Sequence, residues 1–249
     1  MIPQLSQAEQ KAMIRRLAKQ RLRRFRAASS GERAAMSLYM FDFELAAHLH
    51  ASVRLAEVVL REGIHRALSA HYGDDWFEVR HDLLDASGRR AFERAATASG
   101  VRAPPGKVVA NVMLGTWVNL LGAGENREDG SSVSYSSVLW EPALRSAFPL
   151  PRREIARIAQ RVNWARNRIS HCEPVVFGFP MPGLGDGTAQ VRRSPGLILN
   201  DVRVLVSTVA PGLGLWMDRW DETEELLTSP LLKDALDFIA RDPGVTLER

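Results

Sequence analysis

The chain has 249 residues, enough for one sizeable domain or two small ones with a real core, and its 45% apolar and 25% charged residues are ordinary for a soluble globular protein. A formal net charge of +4 and a sequence pI near 9.6 favour an anionic partner without requiring one. The single cysteine, Cys172, excludes an internal disulfide and a cysteine-rich metal site, which suits a reducing cytosol.

In chain order, the first 26 residues set Lys11, Arg15, Arg16, Lys19, Arg21, Arg23, Arg24 and Arg26 against Glu9 alone. Ile14, Leu17, Leu22 and Phe25 form a rough helical stripe, so residues 1–30 read as a basic helical arm peripheral to the rest. That arm is either a solvated face or a surface for RNA or a membrane, and Arg15, Arg16, Arg23 and Arg24 are its candidate RNA contacts. It lacks the apolar stretch of a targeting signal. Ser29–Glu32 breaks the pattern. Leu38, Phe41, Leu45, Leu49, Ala56, Leu60, Ile64 and Leu68 then predict one long helix, ended by Gly73.

Shorter helices are predicted at about 79–98 and 107–121. The uncharged run 108–124 is too short for a membrane span and carries Asn111, Asn119 and three glycines, so it reads as a buried helix. Residues 122–132 are a loop, and a short helix near 138–147 follows, closed by Pro149 and Pro151. Next comes the sharpest seam in the chain. Ile155, Ile158, Val162, Ala165, Ile169 and Cys172 recur at three- and four-residue spacings until Pro174 stops the helix. Residues 174–196, rich in Pro and Gly, predict an irregular loop or short hairpin, with strand character at 174–179 and 190–193. Two or three helices fill 198–241, the first broken or kinked at Pro211. The expected architecture is an all-α bundle of one domain, 1–249, in the cytoplasm.

The seam helix ends in Trp164-Ala165-Arg166-Asn167-Arg168-Ile169-Ser170-His171-Cys172-Glu173-Pro174. Asn167 and His171 are four apart and share a face with Trp164, whereas Arg166, five before His171, reaches around from about 140° away. An Arg, an Asn and a His at one helix end can hold a phosphate and move a proton without a metal. The dipole of the helix end and Glu173 attract positive charge there, while Arg166 and Arg168 repel it. The remaining histidines lie far away in sequence, so no metal or other cofactor is expected.

Arg166-Asn167-Arg168-Ile169-Ser170-His171 resembles the Arg-x4-6-His motif of HEPN ribonucleases, and His171-Cys172-Glu173-Pro174 resembles the His-x-Glu-Pro ending of the Abi-like abortive-infection proteins of bacteria. Further blocks follow in that family's order: Phe41-Asp42 with Leu45, Glu57 to Arg61, Tyr72 to Trp76, Val108 to Ala110, Leu114 to Val118, Leu139 to Pro142 and Phe148-Pro149. The resemblance covers about residues 38–178. It departs where family members often carry Leu-Arg-Asn and this chain has Leu60-Arg61-Glu62.

The resemblance implies a HEPN-like helical bundle and a metal-independent endoribonuclease of abortive-infection or toxin type. His171 would be the acid or base, Arg166 would stabilise the phosphoryl transition state and Asn167 would orient one or the other. It also implies a homodimer with a composite site, restrained by an antitoxin protein or a structured non-coding RNA. Arg168 is read as a solvated neighbour or a phosphate contact.

Several residues read as structural. Trp164, Trp117 and Trp140 are packing residues, Cys172 a buried small hydrophobe on the seam, Glu173 a helix terminator, and Arg61 with Glu62 an ion pair. Ser170 lacks the neighbours of a nucleophile, and Gly183, Gly185 and Gly187 lack the strand-to-helix context of a phosphate loop. The competing function is a non-catalytic HEPN-like module that binds RNA or a protein partner. A DNA-binding regulator ranks last, for want of a helix-turn-helix signal.

Overall fold

The computed structural model describes residues 5–185 and 187–249, and it is 67% helix and 5% strand. In chain order the described elements are α1 (Gln7–Arg16), α2 (Lys19–Ala27), α3 (Glu32–Tyr72), α4 (Trp76–Val79), α5 (Ala86–Ser99), α6 (Pro105–Asn111) and α7 (Leu114–Leu120). A π-helix (Ser136–Leu144) precedes α8 (Arg152–Ser170), which leads to strands β1 (Phe179–Pro180) and β2 (Gln190–Arg193). The chain closes with α9 (Pro195–Val209), α10 (Pro211–Trp220), α11 (Thr223–Leu227), α12 (Pro230–Ala240) and β3 (Val245–Glu248). These pieces form two compact units. One holds the chain up to Ser52 with Trp164–Asn200 and Trp220–Arg249; the other holds Val53–Asn163 and Asp201–Arg219.

In the first unit the basic arm is two helices. Ser6 and Glu9 close a capping box at the start of α1, and Leu17 and Ala18 run extended before α2 begins. The arm is not wholly peripheral as expected. No residue of α1 is buried, but Leu22 and Phe25 of α2 are, and the Phe25 ring packs 5.2 Å from those of Tyr39 and Phe177. Each such side chain contributes roughly 1.5–3 kcal/mol. The Pro/Gly-rich stretch becomes a hairpin, β1 antiparallel to β2, completed by β3 parallel to β2. Of the expected strand at 174–179 only Phe179 lies in the sheet, where it pairs together with Pro180, and β3 carries too short a pattern to be seen in the sequence. Arg192 of β2 is 2% exposed and donates to the carbonyls of Phe177 (2.8 Å) and Gly178 (2.6 Å), tying strand to loop.

The second unit packs around Trp76, Phe77, Phe92 and Trp117, whose ring centroids lie 5.1–6.4 Å apart. Here the sequence expectations need two corrections. The helix expected at 79–98 begins at Ala86, where Asp85 caps it by accepting the Gly88 N–H at 2.7 Å. The helix expected at 107–121 is broken at Val112 and Met113. Its buried residues, Val108, Val109, Leu114, Trp117, Val118 and Leu120, would face all round one straight helix; two short helices turn them all inward.

Pro142 lies inside the π-helix, which its missing N–H accommodates, and Arg145 N–H reaches back five residues to Trp140. Gly63 of α3 has no room for a side chain: a Cβ there would stand 2.5 Å from Val209 Cγ1 of α9. Arg161 of α8 and Asp201 of α9 form a bidentate ion pair at 2.8 and 2.6 Å. Arg61 meets Glu62 at 3.3 Å, as expected, and Trp117 and Trp140 are buried. Among the described residues no helix is long and apolar enough to cross a membrane. Four helices, rather than two or three, fill 195–240, with Pro211 at the first position of α10.

Candidate active site at the end of helix α8

The seam of α8 packs as its spacing demands: Ile155, Ile158, Val162, Ala165 and Ile169 are all buried. The sixth member departs from expectation. The Glu173 N–H bonds the Arg168 carbonyl (3.0 Å), and the Cys172 N–H bonds that of Ile169 (2.9 Å). Those two bonds make a Schellman end, in which Cys172 takes the left-handed position with φ +53°. The chain therefore turns away from the seam one residue early, and Cys172 is exposed.

The same turn fixes His171. Its N–H bonds the Asn167 carbonyl at 2.9 Å, continuing the helical ladder past Ser170, and its side chain is exposed. Arg166 and Asn167 are half-buried one turn back on the helix. Trp164 is half-buried as well.

Arg168 is no solvated neighbour. Its guanidinium donates to the Pro174 carbonyl (2.7 Å) and pairs with Glu173 (2.6 Å), clamping the turn that carries His171. Burial pulls Arg168 below the usual arginine range, against the pull of Glu173.

Behind the turn sits Asp42 of α3, 8% exposed. Its Oδ1 accepts the N–H groups of both Val175 and Val176 at 2.7 Å, which pins the chain just after Pro174. Burial pushes this carboxyl up to about 6, although the two amides, then Arg168 and Arg21, favour its charged form. Arg21 of α2 reaches the turn from another side and donates to the Cys172 carbonyl at 2.7 Å. Burial, Arg168 and Arg24 together lower Arg192 to about 9.

Sequence reasoning missed Asp42, Arg21 and Arg192 as parts of this surround. Asp42 had a signal: it lies four residues after Leu38 and three before Leu45, a carboxylate on the apolar stripe. The other two had none, because their partners are backbone carbonyls of a loop.

Of the arm's candidates, Arg15 and Arg16 end the unburied helix α1 and are exposed. Arg23 and Arg24 line a groove against α12, with the Arg24 guanidinium 5.6 Å from the Phe177 ring centroid. Among the described residues no three His, Cys, Asp or Glu side chains gather as metal ligands would. No family model, curated protein or solved structure matches the chain.

Proposed function

We propose that the protein is a metal-independent endoribonuclease of the HEPN type, acting as an abortive-infection or toxin-type effector. One observation carries the reading: an exposed His171 stands on a clamped helix end with Arg166 and Asn167 one turn behind it. Arg21 and Arg24 add positive charge beside that end, as an RNA phosphate requires.

In the proposed reaction His171 takes the proton from the RNA 2′-OH, whose oxygen then attacks the adjacent phosphorus. The 5′-oxygen leaves and receives a proton, supplied by His171 of the partner subunit in a homodimeric composite site. Arg166 stabilises the charge gathering on the phosphoryl oxygens, an effect of roughly 2.7–4 kcal/mol in comparable sites. Asn167 orients His171 or the phosphate. Dependence on the 2′-OH selects RNA over DNA. Restraint of such an activity falls to an antitoxin protein or a structured non-coding RNA.

His171→Ala should abolish cleavage while leaving thermal unfolding unchanged, and Arg166→Ala should lower kcat about 100- to 1,000-fold. Cleavage by the purified His171→Ala protein at the wild-type rate would end the assignment. The basic faces of α1 and α2 favour a second reading, a non-catalytic module that binds RNA or a protein partner. RNA bound at low salt with its length unchanged by the wild type would select that one.

A further inference from the structure

Helices α2 and α12 border a groove of about 620 Å³ in the first unit, lined by Gln20, Arg23, Arg24, Phe238, Arg241 and Asp242. Three guanidinium groups face one carboxylate, and Asp242 already accepts the Gly244 N–H at 2.9 Å. Phe238 is half-buried, its ring 6.3 Å from that of Phe177, so one part is supported by the core while another lines the groove. Cations beside a supported aromatic ring match single-stranded nucleic acid, which presents phosphates along one side and base faces along the other.

The groove also has a direction. Helix α2 supplies Gln20, Arg23 and Arg24 to it, and Arg21 of the same helix donates to the Cys172 carbonyl, the residue after His171. Arg24 lines the groove and lies near enough to Arg168 and Arg192 to depress both by its charge. A strand seated between α2 and α12 therefore lies beside the turn that carries His171.

We infer that the α2–α12 groove binds single-stranded RNA, arginines on phosphates and Phe238 on a base, and delivers the strand to the His171 turn. The delivery rests on the proposed ribonuclease reading; the binding does not.

The test separates them. Affinity for a fluorescent single-stranded RNA 12-mer is measured by anisotropy across salt concentrations, with the full chain as wild type, Arg23→Gln/Arg241→Gln, Phe238→Leu and His171→Ala. Both arginines are exposed, and leucine keeps the packing of Phe238 while removing its ring. The double variant should bind roughly tenfold more weakly at moderate salt, with the slope of log K against log salt reduced by about 1.4. Phe238→Leu should weaken binding at least fivefold with no change of slope. His171→Ala should bind as the wild type does.

For cleavage, the double variant should raise KM on the 12-mer by a larger factor than it lowers kcat. Unchanged affinity and slope in both groove variants would overturn the inference. So would groove-dependent binding to phosphatidylglycerol vesicles alongside groove-independent binding to RNA. Groove-dependent RNA binding without cleavage by any variant would keep the groove and discard the ribonuclease reading.

Discussion

Asp42 concentrates the chemistry of single residues in this protein. Its carboxyl holds two backbone amides at 2.7 Å, yet burial raises it from 3.8 to about 6. The folded state thus takes up a proton that the unfolded state has already lost. The stability this gives is fully present below pH 4 and disappears as the pH rises through 6, a change on the order of 3 kcal/mol. Urea unfolding from pH 4 to 7 should show wild type losing that amount relative to Asp42→Asn, which has no titration in the window; parallel curves would refute it. Cys172 offers a smaller test. A non-glycine at φ +53° is strained, so Cys172→Gly should stabilise the protein by about 0.5–1 kcal/mol in the same assay. At this scale the sequence made His171 and its neighbours legible because they sit on a periodic helix. It hid Cys172, because the Schellman turn rotates a residue off a seam whose spacing still includes it.

Elements were legible where one period runs unbroken. Helices α3 and α8 follow their apolar stripes, which are buried from Leu38 to Leu68 and from Ile155 to Ile169. Elements failed where burial is needed all round, as at 108–121, since a helix with no polar face reads as continuous whether or not it breaks. Strand β3 was invisible for another reason: four residues at an edge, pairing with β2 across a long stretch of chain, leave no local pattern. Between α8 and α9 the Arg161–Asp201 pair is part-buried, with side-chain exposures of 19% and 4%. Asp201→Ala would leave the guanidinium without this carboxylate, at a cost of about 3 kcal/mol by chemical denaturation. A cost below about 1 kcal/mol would show that water or another group takes its place.

Over the whole molecule, the positive surplus divides evenly between the two units, and in the first of them α2 carries arginines both to the α8 turn and to the α12 groove. Its composition made a helical, mildly basic protein legible; the meeting of α2, α3 and the turn after α8 was not, because it joins residues more than a hundred positions apart. The ribonuclease reading rests on the turn that this meeting holds, with His171 exposed on it and Arg166 and Asn167 one turn behind. It is tested most directly by the ends of the RNA fragments that the purified protein makes in excess EDTA. Attack by the 2′-OH predicts 2′,3′-cyclic phosphate and 5′-hydroxyl ends, formed at an undiminished rate and lost in His171→Ala. Fragments with 5′-phosphate ends, or cleavage that stops on chelation, would contradict it.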